Sequence, residues 1–458
     1  MPPKRETISQ RIGGRPRRKA PTAVACALVV ATCTGLGTAR ADDSPAGPPE
    51  TFADPADPAG ALSAVKALLA PLSPPARTCQ WPPCSGPSAA VPAYAVTNTV
   101  DVPVGNGPSA LAVNPKTNKI YVANIRSNNV TVIDGKTNKT TTVPAGPMPN
   151  AVAINPVTNK IYVSNQNLDA PNANDPGTVT VIDGKTNKTT TVTVEVQPGF
   201  VAVNEKTNKI YVVNNGTNSL SVIDGKTNKV DATAHFRPDG RAPLESGVMS
   251  PYDVKVNEVT NQIYVTGPQS NTVAVVDGKT NKFTIVPTGS TPTGAAVNPI
   301  TNTIYVTDFT TNELTVIDGK TNKTSSVHIE DVQDPLVVAV NPITNKVYVA
   351  DMTSKAISVV DGVTKKVITI GDLPGKPHDI AINPITNKIY FPLFSLYRGN
   401  NVGDDREITG VIEELDGATN TVTTIMAGTT PLAIAVNPNT NKTYVVNQDS
   451  NTVTVLSE

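Results

Sequence analysis

Short hydrophobic runs separated by polar turns fill the chain from residue 94 onward. In one stretch, an alternating run at 151–154 is followed by apolar runs at 160–163 and 179–182 and by a Thr-rich run at 189–192. Alternation is typical of a strand with one solvated face, and a continuous apolar run is typical of a strand packed on both faces. Because the intervening turns contain Asn and Gly, which adopt the positive φ of tight hairpins, each stretch is predicted to form four antiparallel strands.

This four-strand stretch is repeated along the chain. The phrase Asn-Pro-x-Thr-Asn-Lys-Ile-Tyr-Val, or a close variant, begins at eight positions: Asn114, Asn155, Asn204, Asn257, Asn298, Asn341, Asn383 and Asn437. Successive copies begin 41–43 residues apart, except where insertions lengthen the spacing to 49, 53 or 54. A period of about 40 residues with four strands is the size of one β-propeller blade. The sequence therefore predicts an all-β, eight-bladed propeller of four-stranded blades.

The two ends of the repeat region complement each other. The last copy stops after its third strand, at 453–456, and an unpaired strand pattern stands at the front, at 94–104. If the front strand completes the last blade, the ring closes and its open sheet edge is covered. This accounting favours eight blades, with a seven-bladed ring containing one aberrant copy as the alternative. A solenoid would need atypical capping units, whereas the eighth copy is regular.

The second strand of each copy ends in a recurring motif, which occurs as Tyr162-Val-Ser-Asn165 and Tyr444-Val-Val-Asn447. On this motif, residues 94–458 resemble the YVTN-repeat β-propeller family of exported bacterial proteins. The resemblance implies a propeller. It implies no particular activity, because that family is functionally diverse and a fold does not define a function.

Residues 1–41 have the pattern of a signal peptide. A basic segment ends at Lys19, an apolar run follows at 23–31, and an Ala39-Arg40-Ala41 cleavage site precedes Asp42. The apolar run is shorter than the about 20 residues needed to span a bilayer. We therefore expect a chain exported to the periplasm, the cell surface or the medium, without a transmembrane span after signal removal. The choice between Sec and twin-arginine export, and between a free and an anchored chain, stays open.

Residues 42–93 are rich in Pro and Ala and are predicted to be a linker. Within them, Cys79 and Cys84 flank a short Pro-rich loop. In an exported chain this pair favours a disulfide. A metal site is the weaker interpretation, because two thiolates with no nearby His supply half of a tetrahedral set.

Charge disfavours nucleic acid as a partner. The whole chain has 38 basic and 38 acidic residues, but the part after residue 41 carries a net charge of −7. A nucleic-acid binder is expected to be basic. We expect a monomer whose partner is a protein, a glycan or a small molecule.

The predicted strand order puts uniform turns on one rim of the propeller and variable loops on the other, where function usually concentrates. Three insertions, at 165–177, 236–252 and 392–407, map to the variable rim. Solvated loops without function are the competing interpretation. The candidate ligand-binding residues on this rim, or where the channel opens there, are Asn150, Arg237, Arg241, Tyr252, Asp253, His378, Asp379, Tyr397 and Arg398.

The sequence shows no catalytic constellation. Three dispersed histidines do not predict a copper or iron site, and haem-attachment and nucleophile-elbow motifs are missing. We expect no cofactor; a divalent cation is the alternative, with Asp169 and Asp175 as weak calcium candidates. The sequence thus favours an exported, non-catalytic binding or scaffold propeller. The alternative is a lactonase-like or lyase-like propeller enzyme that uses His378, Asp379 and Arg241 at the mouth of the axial channel.

Overall fold

The computed structural model describes residues 98–168, 172, 174–236, 249–330, 332–394 and 410–457. Every helix or strand found in these residues is a β-strand, and the strands form eight separate antiparallel sheets. Each sheet corresponds to one repeat copy. The predicted eight-bladed propeller is therefore confirmed, and the seven-bladed alternative is wrong.

Strands are numbered in chain order and given from the channel outward. The first strand, β1 (Asn98–Pro103), belongs to the last blade. Blade 1 contains β2 (Pro108–Asn114), β3 (Lys119–Asn124), β4 (Asn129–Asp134) and β5 (Thr140–Pro144). Blade 2 contains β6 (Pro149–Asn155), β7 (Lys160–Asn165), β8 (Thr178–Asp183) and β9 (Thr189–Thr193). Blade 3 contains β10 (Pro198–Asn204), β11 (Lys209–Asn214), β12 (Ser219–Asp224) and β13 (Lys229–His235). Blade 4 contains β14 (Val254–Asn257), β15 (Gln262–Gly267), β16 (Thr272–Asp277) and β17 (Phe283–Pro287).

The remaining blades follow the same order. Blade 5 contains β18 (Pro292–Asn298), β19 (Thr303–Asp308), β20 (Glu313–Asp318) and β21 (Thr324–His328). Blade 6 contains β22 (Pro335–Asn341), β23 (Lys346–Asp351), β24 (Ala356–Asp361) and β25 (Val367–Ile370). In blade 7 the innermost strand is split into β26 (Lys376–Pro377) and β27 (Ala381–Asn383), followed by β28 (Lys388–Phe394), β29 (Val411–Asp416) and β30 (Val422–Met426). Blade 8 contains β31 (Pro431–Asn437), β32 (Lys442–Asn447), β33 (Thr452–Ser457) and β1.

The core lies between the blades. The second strand of every blade is buried, and its Tyr is fully buried in all eight: Tyr121, Tyr162, Tyr211, Tyr264, Tyr305, Tyr348, Tyr390 and Tyr444. Tyr211 of blade 3, for example, shares one apolar cluster with Val254, Ile263 and Val265 of blade 4. Burial of one apolar side chain of such a cluster, for example Ile263, stabilises the fold by about 1.5–3 kcal/mol. The continuous apolar run of the second strand therefore joins neighbouring blades.

The ring is closed by its two ends. The innermost strands contact one another in succession, and β31 of blade 8 contacts β2 of blade 1. Strand β1 pairs antiparallel with β33 from Asn98↔Ser457 to Pro103↔Thr452, and the Thr454 hydroxyl donates a 2.6 Å hydrogen bond to Asp101. The predicted completion of the last blade by the leading strand is confirmed.

A ring of asparagine pairs explains the repeat phrase. The first Asn of each phrase donates a side-chain hydrogen bond to the second Asn in the next blade, starting with Asn114 to Asn159 at 2.9 Å. The eighth bond joins Asn437 to Asn118 at 2.8 Å and completes the circle. The second Asn of each phrase has φ between 52° and 56°, a left-handed conformation that Asn tolerates better than most residues. The phrase is therefore an architectural signal.

The two rims differ as predicted. The turn between the first and second strands and the turn between the third and fourth strands lie together, since the Gly135 amide donates a 2.8 Å hydrogen bond to the Asn118 carbonyl. We call this the uniform rim. The loops between the second and third strands and between blades lie on the opposite, variable rim. In the part of the chain that the structure describes, no helix is long and apolar enough to cross a membrane.

Candidate functional site at the axial channel

The innermost strands can be compared position by position, because each ends in the first Asn of the repeat phrase. All eight have Pro six residues before this Asn. Two residues before it, seven blades have Ala and blade 4 has Lys255. Four residues before it, Phe200, Asp253 and Asp379 replace the small or aliphatic residues of the other blades. The departures from the repeat are therefore concentrated on the channel-lining strands of blades 3, 4 and 7.

Asp253 joins blade 4 to blade 5. One carboxylate oxygen accepts a 2.8 Å hydrogen bond from the Val254 amide, and the other accepts a 3.0 Å bond from the Ala295 amide of the next blade. The Asp253 amide in turn donates to the Thr266 hydroxyl at 2.9 Å. The carboxylate thus bridges two innermost strands.

Asp379 makes the same bridge between blades 7 and 8. Its carboxylate accepts a 2.8 Å bond from the Ile380 amide and a 3.0 Å bond from the Ile434 amide. In these two blades the Pro-to-Asn strand is shortened or split, whereas it runs unbroken in the other six. Both candidate carboxylates therefore bind backbone amides at blade boundaries.

Lys255 places a charge in the channel. Its amine forms an ion pair with Asp253 at 2.7 Å, and its side chain is 41% exposed. Burial raises the pKa of Asp379 to about 6; the negative charge of Asp253 acts in the same direction, and the positive charge of Lys255 opposes it. Blades 4 and 7 are not neighbours in the ring, so these charges interact across the channel.

His378 packs on its own blade. Its ring makes an edge-to-face contact with Phe394, with ring centroids 5.9 Å apart, and its backbone amide donates to the Pro392 carbonyl at 3.2 Å. Burial, with a contribution from the charge of Lys376, lowers the pKa of His378 to about 4. The imidazole is therefore neutral at pH 7 and far from the pKa that suits a general acid or base there.

An aromatic pair borders the channel on blades 3 and 4. The Phe200 and Tyr252 rings meet edge to face with centroids 5.4 Å apart, and Phe200 is 39% exposed. Asn150, on the neighbouring blade 2, is half-buried, and its side chain makes no hydrogen bond to the residues described. The channel mouth therefore offers an aromatic surface, an amide and the Lys255 amine on three adjacent blades.

The calcium candidate that the structure describes lies in an ordinary turn. The Asp175 amide donates to the Asn172 carbonyl at 2.9 Å, and the Asn174 amide donates to the Asn172 side chain at 3.2 Å. No cluster of three or more His, Cys, Asp or Glu side chains suited to a metal occurs within the described ranges.

Several predicted residues lie outside the described part of the chain. The signal and linker predictions for 1–41 and 42–93 belong there too. The individual residues are Cys79, Cys84, Asp169, Arg237, Arg241, Tyr397 and Arg398.

Sequence reasoning missed Phe200 and Lys255. Both lie within runs that we interpreted only as strand pattern. Alignment of the eight copies with one another reveals them, because Ala is the commonest residue at both positions. A comparison of the eight copies with one another would therefore have found both residues from the sequence alone.

Fold and channel together define the chain as a closed eight-bladed β-propeller. No protein-family model and no curated protein sequence matches it. A solved structure of streptogramin B lyase is similar, with a TM-score of 0.50 and 12% identity over 78% of this chain and 97% of that one. Kuenenia stuttgartiensis hydrazine synthase has a TM-score of 0.49 and 16% identity over 81% of this chain and 99% of that one. At these identities the likeness concerns the fold alone.

Proposed function

We propose that this chain is an exported, non-catalytic propeller of the YVTN-repeat type that binds a small ligand where its axial channel opens on the variable rim. The observation that carries the proposal is the partly exposed group of Phe200, Tyr252 and Lys255 at the channel: Phe200 and Lys255 replace the residue commonest in the other blades, and the Tyr252 ring packs against Phe200. Binding pockets typically combine an apolar surface with a few polar groups that orient the ligand. Export is supported by the signal-peptide pattern of residues 1–41.

The ligand class follows from the exposed groups. An aromatic surface favours a flat apolar face. The Lys255 amine donates to both oxygens of Asp253, at 2.7 and 2.8 Å, and its third donor favours a carboxylate. The ligand we propose is therefore a small aromatic carboxylate. The catalytic alternative is weakened because the Asp253 and Asp379 carboxylates bridge blades and the pKa of His378 is about 4.

Saturation-transfer NMR with benzoate and phenylacetate tests the proposal. We expect both ligands to show saturation transfer from the wild-type protein and at least a fivefold smaller signal with Phe200→Ala or Lys255→Ala. Ala occupies both positions in other blades, so these variants are expected to fold. Equal signals from Phe200→Ala and the wild type would place the ligand elsewhere.

The matched control is His378→Ala, which removes the catalytic candidate and leaves the aromatic pair and Lys255 in place. We expect it to bind benzoate as the wild type does. A parallel screen for lactone hydrolysis, with and without Mg²⁺, tests the enzyme alternative. Turnover that His378→Ala abolishes would show that the non-catalytic proposal is wrong.

A further inference from the structure

The uniform rim projects apolar side chains at the tips of its turns. The third residue of the repeat phrase is exposed and β-branched in five blades, at 61–71% exposure: Val157, Val259, Ile300, Ile343 and Ile385. Four of these belong to the consecutive blades 4–7, and we call Val259, Ile300, Ile343 and Ile385 the apolar crescent. Single exposed apolar residues are ordinary on protein surfaces. The four crescent residues hold the same turn position in four adjacent blades, so they lie side by side along one rim.

The same rim carries almost all of the lysines. Every lysine in the described ranges belongs to one of the two turn families of this rim or directly follows it, except Lys255, Lys355 and Lys376. In blades 1–5 the turn between the third and fourth strands contains one Asp and two exposed lysines. These lysines are Lys136, Lys139, Lys185, Lys188, Lys226, Lys229, Lys279, Lys282, Lys320 and Lys323.

The turn aspartates only partly offset this charge. The Asp134 carboxylate, for example, accepts hydrogen bonds from the amides of Lys136 and Thr137 and from the Thr137 hydroxyl. These bonds lower the pKa of Asp134. Each such turn therefore has one carboxylate directed at its own backbone and two lysine side chains directed at solvent.

The opposite rim differs because it lacks most of the lysines, whereas on the uniform rim lysines outnumber the seven turn aspartates together with Glu205 and Glu258. The loops and strand ends of the variable rim contain a set of carboxylates with few basic residues among them: Asp175, Glu195, Glu313, Glu330, Asp334, Asp351, Asp372 and Asp449. The two rims consequently differ in charge: the uniform rim is basic and carries exposed apolar side chains at its turn tips, and the variable rim is acidic.

We propose that the uniform rim is a docking surface for an anionic phospholipid membrane. Peripheral attachment to lipid combines apolar side chains in the headgroup region with lysines near the negative surface. Nucleic acid or an acidic polysaccharide would match the lysines but would leave the crescent without an apolar environment. Attachment through this rim holds the acidic variable rim, with the channel mouth, away from the membrane.

Vesicle flotation tests the proposal. The protein used is purified and contains the whole propeller, residues 94–458. The probe is vesicles of phosphatidylcholine with 40% phosphatidylglycerol, compared with vesicles of phosphatidylcholine alone. We expect at least a tenfold higher partition onto the anionic vesicles, decreasing as salt is raised. Binding that does not depend on phosphatidylglycerol would overturn the proposal.

The crescent variant, Ile300→Asn/Ile343→Asn/Ile385→Asn, removes three of the four apolar tips and leaves Val259 in place. Asn439 holds this turn position in blade 8, so the substitutions are compatible with the fold. The matched control is Ile285→Asn/Ile368→Asn, which replaces exposed apolar residues on the outermost strands of blades 4 and 6, away from the rim. We expect a tenfold loss of partition for the first variant and none for the control, with unchanged melting temperatures.

Two results would contradict the proposal. One is equal partition of the wild type and the crescent variant, which would reduce the interaction to charge alone. The other is a wild-type dimer that the crescent variant converts to a monomer without any change in vesicle binding. That result would assign the crescent to contact between two copies of the chain.

Discussion

The buried residue at the end of the second strand is of a different type in different blades. In blade 1 it is Asn124, whose amide donates hydrogen bonds to Thr131 at 2.9 Å and Asn129 at 2.8 Å. In blade 5 it is Asp308, which accepts a 2.6 Å bond from Thr315. Burial raises the pKa of Asp308 to about 7, and the charge of Glu313 adds to this effect. The same position is thus neutral in blade 1 and titratable in blade 5.

Asp308→Asn is expected to stabilise the protein at high pH. The unfolded carboxyl loses its proton near pH 4, whereas the folded one keeps it to about pH 7, so the folded state binds more protons in between. Wild-type stability therefore falls as pH rises through this window, by up to about 4 kcal/mol. We expect the advantage of the variant to grow from near zero at pH 4 to about 2–4 kcal/mol at pH 8, as measured by urea unfolding at each pH.

The reverse exchange in blade 1 is the matched control. Asn124→Asp is expected to be less stable than the wild type, and more so at pH 8 than at pH 4, because it buries an ionisable carboxyl where an amide donated. A pH-independent difference in both variants would contradict this account of the position.

At the scale of elements, the outermost strand of blade 8 has an unusual origin, because it comes from the beginning of the repeat region. Val102 of β1 is buried among the side chains that join blades 8 and 1, whereas Val100 on the same strand is 52% exposed. The strand therefore contributes one buried anchor and an exposed outer face.

Val102→Ala is expected to lower the free energy of unfolding by about 2 kcal/mol, because it leaves a cavity in this cluster. Val100→Ala makes the same chemical change at an exposed site and should cost less than about 0.5 kcal/mol. Thermal or urea unfolding of the two variants gives the comparison. Equal small effects would mean that β1 does not pack on the last blade.

At the scale of the whole molecule, eight Asn–Asn bonds link each blade to the next. Seven of them join blades that are consecutive in the chain, and the eighth joins the last blade to the first. That eighth bond is present only if the ring is closed.

Asn437→Asp is expected to remove the closing bond to Asn118 while keeping a side-chain oxygen that accepts the hydrogen bond from the Asn439 amide in its own turn. Asn298→Asp makes the same change between blades 5 and 6, where the bond to Asn345 is 2.7 Å long. We expect both variants to lose about 1–3 kcal/mol, since a buried acceptor is left unpaired, and to differ by less than about 0.5 kcal/mol. A much smaller loss for Asn437→Asp in urea unfolding would indicate an open ring.

The sequence alone determined the blade count, the strand order and the closing strand, because these follow from local chemistry repeated eight times. The chain itself shows the spacing of its hydrophobic residues and the Asn and Gly of its turns. It also shows that the last copy lacks a fourth strand. The roles of Asp253, Asp379 and His378 were decided only by the tertiary structure. Their hydrogen bonds, burial and pKa depend on Ala295, Ile434 and Phe394, which lie elsewhere in the chain.

The polarity of the two rims was likewise decided by the fold. The lysines and the turn-tip isoleucines are spread through the repeats, and only the closed ring of antiparallel blades gathers them on one rim. Net charge is a sum over the whole chain, so it does not show on which rim the charges lie. The physical reason is that spacing along a repeat predicts local hydrogen bonds, whereas a surface or a pocket depends on which distant residues the ring brings together.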